Sequence, residues 1–303
     1  MTRKEFIGAA TAFAAFSPRL FAEGSANRYL ELQAEIDQIK AAEYFDYMQS
    51  SLRVGELGSF FSKINRPALK RLDAVVDTIK SEIKKTRVTS GTPAVWLVYN
   101  MGLVIKTAET CFAIDLVHRR AAELAPLFDF LLLTHNHSDH CSEPLYKAVN
   151  GAKKTVISNF KDNYGVADWS KNGGYVRGVK TFGVRDVEIK TALSDHNGYL
   201  VDFTTTFEIR VGNFVIYHTG DSSNISKLNP TAQPDLWVVH PRCGLNVLDG
   251  YRKFAPKQTA ICHLNELGHD KWRWSWADGL AEKAKIEGAG GKAFVPVWGE
   301  RIV

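Results

Sequence analysis

The sequence predicts an α/β fold, an αββα sandwich preceded by a helical extension, and three observations predict it. Apolar residues recur at helical spacing from about Arg28 to Lys85. Short strand-like runs take over from Val95 and persist to the end. A histidine-rich turn, Thr134 to His140, follows one of those runs directly.

The first segment, residues 1–26, reads as an export signal. Arg3 and Lys4 precede an alanine-rich apolar stretch from Phe6 to Phe16, and Ala22, Gly24 and Ala26 offer cleavage points. The mature chain is expected to start near Glu23 or Asn27 and to be exported, to a bacterial periplasm. Thr2 to Ile7 resembles the start of a twin-arginine signal, with Lys4 where the second arginine is expected; the other reading is a short amphipathic or buried helix. The stretch is too short to span a bilayer comfortably, and no later run is long and apolar enough for a transmembrane helix.

Residues 27–90 form the expected helical extension, a hairpin or pair. Leu32, Ile36 and Ile39, then Leu69, Leu72, Val75, Val76 and Ile79, keep helical spacing, and Gly55 and Gly58 break the run. The basic run Lys80 to Arg87 reads as the solvated end of a helix. Thr89-Ser90-Gly91-Thr92-Pro93 is a linker or turn, and residues 91–303 make the second region. Its expected strands are Val95–Tyr99, Leu103–Lys106, Cys111–Asp115, Phe128–Thr134, Thr155–Ser158, Val187–Thr191, Tyr199–Ile209, Phe214–His218, Leu236–His240 and Thr259–Cys262. Asn172-Gly173-Gly174-Tyr175 is a turn signal with the option of a mobile site edge.

The turn carries the chemistry. His135, His137, Asp139 and His140 place three imidazoles and a carboxylate within six residues. Imidazole suits zinc, manganese or iron(II), and a carboxylate among them allows a second divalent cation nearby. Alternation sends His135 and His137 from a strand end toward one cation, while Asp139 and His140, past the bend, can turn toward another.

His135-x-His137-x-Asp139-His140 resembles the signature of the metallo-β-lactamase-fold hydrolases, and the likeness covers about Thr92 to Val303. An apolar strand ending in Asp115 lies upstream, while His196, Asp221 after a strand, and His263 follow in the family's order. Residue by residue, the resemblance implies one metal on His135, His137 and His196, another on Asp139, His140 and His263, and Asp221 bridging them. It implies two divalent ions, zinc foremost with manganese as the other candidate. Asp115 would brace the histidine loop, and His218 either braces Asp221 or is a satisfied core histidine. Tyr217 to Asp221 and the long segment before His263 look most like the branch containing the ascorbate-6-phosphate lactonase-like proteins and the N-acyl-phosphatidylethanolamine phospholipase D.

The expected function is therefore a metal-dependent hydrolase in which a hydroxide shared by two metals attacks a phosphodiester, lactone or related ester, with Asp139 and Asp221 as the catalytic carboxylates. An iron-dependent oxidoreductase of the same fold, or a non-catalytic periplasmic binding protein, are the other readings. His240 and His269 are candidate substrate contacts, each with a structural or plain surface role as the alternative; His269 can also serve as a proton donor. His118 reads as structural. Trp272, Trp274 and Trp276 alternate and either fill the core or wall a pocket.

Composition is consistent with one such domain plus an extension. The 303 residues are 45% hydrophobic and 23% charged, enough to bury a sizeable core. The net charge of +5 is spread along the chain and falls short of a nucleic-acid-binding face. The partner expected is a small-molecule ester or phosphodiester. Cys111, Cys141, Cys243 and Cys262 show no disulfide framework; Cys111 and Cys262 sit in strand-like apolar runs and read as buried thiols, and Cys141, next to His140, is either a soft ligand or nucleophile or lies outside a ligand shell that is complete without it.

Overall fold

Strands form where β-branched and aromatic residues are concentrated, and they assemble into two sheets. A computed structural model describes residues 32–50, 66–89, 91–161 and 173–303. The expected export signal, Gly55, Gly58, Ser90 and Asn172 lie outside these residues.

The first sheet has the order β1-β2-β3-β4-β5: β1 (Ala94–Tyr99), β2 (Gly102–Lys106), β3 (Cys111–Ile114), β4 (Phe130–Leu132) and β5 (Thr155–Ile157). The three leading strands pair antiparallel, and β3, β4 and β5 pair parallel. The second sheet contains β6 (Lys180–Val184), β7 (Val187–His196), β8 (Leu200–Val211), β9 (Phe214–His218), β10 (Leu236–Val239), β11 (Gln258–Ile261) and β12 (Ala293–Phe294), in the order β12-β11-β10-β9-β8-β7-β6. Parallel neighbours need crossovers. Helix α3 (Glu143–Gly151) links β4 to β5, α4 (Val247–Phe254) links β10 to β11, and α5 (Trp276–Gly288) links β11 to β12.

Side-chain alternation divides the core. Val95 and Leu97 of β1 face inward with Ile105, Phe112, Phe130, Phe207, Ile216 and Val238, while Trp96 and Val98 face the outer layer with Leu131, Trp237 and Ile261. Most of these strands are buried on both faces, which is why they read as continuous apolar runs. The αββα class expected from the sequence is the one observed.

Among the described residues ahead of the sandwich, residues 32–36 are helical, followed by α1 (Ala41–Gln49) and α2 (Pro67–Lys85). Pro67 opens α2 with its φ already helical and no N–H to leave unpaired. Leu69, Leu72, Val75, Val76, Ile79 and Ile83 form its buried stripe, and each contributes roughly 1.5–3 kcal/mol. Lys106 Nζ donates to the carbonyls of Ile83 (2.5 Å) and Thr86 (2.8 Å), closing the helix end. Below α2, His118 Nε2 lies 3.1 Å from Tyr47 Oη and 3.0 Å from the Leu72 carbonyl. Burial lowers its pKa to about 4, so it is a neutral core group.

Three strands differ from expectation. β6 and β12 were not marked in the sequence, and β7 continues past Thr191 to His196. β6 is an edge strand, exposed along most of its length and interrupted by Gly183, so it lacks apolar alternation. The basic run at Lys80 is the end of α2, with Lys84 and Lys85 in its last turn. Trp276 is buried at the start of α5, Trp274 is half-buried and Trp272 is exposed, so the three indoles share no wall. No helix among the described residues is long and apolar enough to cross a membrane.

Candidate metal centre

The histidine turn is tied down before it presents any ligand. Asp115, fully buried in the left-handed region (φ 45°), accepts from Thr134 N at 2.8 Å, from Thr134 Oγ1 at 2.5 Å and from His140 Nδ1 at 2.8 Å. With its proton on Asp115, Thr134 Oγ1 accepts in turn from His135 Nδ1 at 2.9 Å. Both rings are thus held through Nδ1, and the Nε2 atoms of His135 and His140 are buried with no hydrogen-bond partner. Thr205 N donates to the Thr134 carbonyl at 2.8 Å, joining the turn to β8 in the other sheet.

The remaining groups come from strand ends of the second sheet. His196 closes β7 at a register shift and pairs with Ser222 in an isolated bridge. Asp221 follows β9 through Gly220, whose φ is 52°. A Cβ on Gly220 would sit 2.9 Å from Thr204 Cγ2 and 3.0 Å from Thr134 Cβ, so only glycine lets the Asp221 loop lie this close to the histidine turn. His263, also left-handed at φ 60°, donates its N–H to the Asn100 carbonyl at 3.1 Å, and Asn100 Nδ2 donates to the Asp139 carbonyl at 3.1 Å.

These segments bring two sets of donor atoms together. His135, His137 and His196 offer nitrogens within 4.8 Å of one another, and so do the donor atoms of Asp139, His140, Asp221 and His263. Asp221 stands between the sets. Its Oδ1 is 3.2 Å from His140 Nε2, while its Oδ2 is 3.4 Å from His196 Nε2, 3.5 Å from His263 Nε2 and 4.0 Å from His135 Nε2. Asp139 Oδ2 is 3.0 Å from His263 Nε2 and 3.7 Å from His140 Nε2. Buried polar atoms without partners are costly, yet His135 Nε2, His140 Nε2, both nitrogens of His196 and Asp221 Oδ1 are all in that condition. Divalent cations at these two positions would satisfy them, and the donor set of imidazoles and carboxylates fits zinc, manganese or iron.

Electrostatics point the same way. Burial, reinforced by the neighbouring histidines, holds His135 and His137 below the usual imidazole range, leaving neutral rings with free lone pairs. Burial also opposes charge on His140, but Asp221, Asp139 and Asp115 outweigh it and hold this ring protonated. Three carboxylates around one imidazole favour a positive charge there, which a divalent cation would supply in place of the proton.

The other expected site residues fall around this centre. His218 Nε2 lies 3.2 Å from the Met101 carbonyl and its Nδ1 accepts from Gly220 N at 3.3 Å, so it supports the turn that carries Asp221. His240 is buried, with Nδ1 3.3 Å from Asp221 Oδ1 and its ring stacked on His263. His269 is half exposed and bonded through Nδ1 to Glu266 Oε2 at 2.6 Å. Glu266 is buried and also accepts from Gly268 N at 2.7 Å and Tyr99 Oη at 3.4 Å.

Four contributors carried no sequence signal. Asn100 acts through its carbonyl and side-chain amide, Thr134 through its backbone and hydroxyl, and Phe203 packs its ring 5.0–5.7 Å from those of His135, His137 and His196. Cys243 donates Sγ–H to the Asp221 carbonyl at 2.8 Å, Cys141 is buried, and none of the four cysteines forms a disulfide. Cys243 also groups with His196 and Asp221 as a possible ligand, but its thiol is engaged with two oxygen acceptors, Asp221 O and Asn197 Oδ1 at 3.2 Å, and burial raises its pKa.

Residues 94–241 match the family described as Beta-lactamase superfamily domain. No curated protein matches the chain. Among solved structures the chain is similar to Igni18, a novel metallo hydrolase from the hyperthermophilic archaeon Ignicoccus hospitalis, at 18% identity and a TM-score of 0.53, over 69% of this chain and 97% of that one. It is similar to isothiocyanate hydrolase from Delia radicum gut bacteria at 15% identity and a TM-score of 0.52, over 69% and 98%. CmlA, a diiron beta-hydroxylase from Streptomyces venezuelae, aligns at 16% identity and a TM-score of 0.52, over 69% of this chain and 53% of that one. At such identities the likeness is one of fold.

Proposed function

We propose that this chain, which has the metallo-β-lactamase fold, is a metal-dependent hydrolase acting on a phosphodiester, a lactone or a related ester. The observation that supports it best is the Asp221 carboxylate, set between two groups of imidazoles with Oδ1 3.2 Å from His140 Nε2 and Oδ2 3.4 Å from His196 Nε2. In this reading His135, His137 and His196 hold one divalent cation, Asp139, His140 and His263 hold a second, and Asp221 serves both. Zinc is the first candidate and manganese the next. Such a pair supplies a water acidified toward neutrality and positive charge opposite a developing oxyanion.

The chain's own residues do the rest. Asp115 and Thr134 fix ring rotation in the histidine turn, and Phe203 shields the rings of the first set. Asp139 and Asp221 carry the negative charge that retains the second ion. His269 is the proposed substrate contact: Glu266 occupies its Nδ1 and raises its pKa, which leaves Nε2 to bind an anionic group or to give a proton to the departing oxygen. The likeness of Tyr217 to Asp221 to the lactonase and phospholipase D branch is what names phosphorylated lactones and phosphodiesters as substrates.

Chelator-stripped protein, resupplied with zinc, manganese or iron singly and assayed against phosphodiesters, lactones and thioesters, tests the reading. The expected result is two ions per chain, with zinc or manganese restoring hydrolysis. Iron uptake with no hydrolysis of any ester would favour an oxidoreductase, and failure to bind any ion would leave a binding protein.

A further inference from the structure

The three parallel strands β9, β10 and β11 run side by side, with Val238 level with His218 and Val239 level with Ile261. Carrying the same offsets past the strand ends sets His240 level with Gly220 on one side and Cys262 on the other, one residue short of Asp221 and of His263. The sheet therefore delivers a histidine between two candidate ligands.

His240 is 5% exposed, and neither ring nitrogen has a hydrogen-bond partner. Its ring stacks on that of His263, centroids 3.8 Å apart and planes 12° from parallel, and its Nδ1 is 3.3 Å from Asp221 Oδ1. It belongs to neither set of atoms converging within 4.8 Å. Asp221 Oδ2 faces His196 and His263, while Oδ1, 3.2 Å from His140 Nε2, is also the oxygen that His240 approaches, so a donor there acts on the oxygen turned toward the second set.

We propose that His240 is a positioning residue: 3.3 Å from Asp221 Oδ1, its Nδ1 is placed to donate to that oxygen once metal is bound, and its ring backs His263, so that two ligands from the second sheet are held in one orientation. The proposal rests on Asp221 and His263 being ligands. That hydrogen bond would stop the carboxylate rotating about Cβ–Cγ and keep Oδ1 beside His140 and Oδ2 beside His196 and His263. The stack removes the freedom of His263 to swing away from Asp139. Partners of this kind set metal affinity by about 10–100-fold.

The test is a Co²⁺ titration of chelator-stripped wild type, His240→Ala and His240→Asn, read by calorimetry and by the visible absorption of the bound ion. Asn places an amide N–H near the position of the imidazole Nδ1. The expected result is that Ala weakens one of two ions by about 10–100-fold and shifts its spectrum, and that Asn recovers most of the affinity. If Ala does not fold, His240→Phe keeps an aromatic stack and removes the donor, and is expected to weaken the same ion. Wild-type affinities and spectrum in the donor-less variant would overturn the proposal. So would Asn as weak as Ala, which would make His240 a ligand. Wild type that binds no ion would refute the metal centre itself, a separate outcome.

Discussion

Asp115 Oδ2 accepts from His140 Nδ1 at 2.8 Å, and both side chains are fully buried. The bond decides which nitrogen of His140 faces the site: Nδ1 is spent on Asp115, and Nε2 points to Asp221. In Asp115→Asn, whichever way the amide turns, at least one of its three donors meets an NH2 group. Metal affinity is expected to fall by about 10–100-fold, measured by competition with a chromophoric chelator; unchanged affinity would remove Asp115 from the account.

Asp139→Ala and Asp221→Ala each delete a carboxylate that the proposed second ion would need. Bound metal per chain is expected to drop, and hydrolysis to fall roughly a hundredfold or more. The stripped protein should melt within about 4 °C of wild type. Metal analysis, calorimetry and the ester assay together check this, and full activity in both variants would refute the ligand assignment.

Gly220→Ala should destabilise the protein even without metal. The left-handed backbone costs about 1–2 kcal/mol for an L-residue, and the contacts with Thr204 and Thr134 add about 1–3 kcal/mol of overpacking. Urea unfolding of the stripped variant should show a loss of about 2–5 kcal/mol; a loss under about 0.5 kcal/mol would mean the loop simply shifts.

Glu266→Gln should lower the pKa of His269. The Glu266 carboxylate, bonded to His269 Nδ1, holds that imidazole above 6.5, and a neutral amide cannot. A proton NMR titration of the half-exposed ring should show its midpoint moving back toward 6.5. A midpoint that does not move would break the link between the two groups.

Acid should weaken the join between α2 and the sandwich. Arg120 donates to Asp77 at 2.7 and 2.9 Å and to Glu123 at 2.7 and 3.1 Å. Its hydrogen bonds lower Asp77 and bring Glu123 from 4.5 to about 2. Folded-state values below the unfolded ones mean stability present above pH 4.5 and lost as pH falls through that value toward 2. The melting-temperature gap between wild type and Glu123→Gln should be open at pH 7 and close below pH 2. A constant gap would show that the ion pair contributes nothing.

Much of this was legible in the chain, because local pattern and local chemistry agree. The apolar runs that became β1 to β4 are buried on both faces, and the buried stripe of α2 keeps helical spacing. His135 to His140 lie within one turn, so their spacing alone announced them. The rest depends on pairings between distant residues. His240 reaches Asp221 through strand register, and Glu266 meets Tyr99 across 167 positions of sequence. The left-handed backbone at Gly220 and His263 is fixed by neighbours that no short window contains. β6 escaped because an edge strand with one exposed face needs little apolar residue to form.

The histidine turn belongs to the first sheet, whereas His196, Asp221 and His263 belong to the second. Any ion held by both works as a rivet through the seam of the sandwich. Its departure would free two layers at once, so amide exchange should quicken in β4 and in β9 to β11 together, although β4 shares no ladder with the other three.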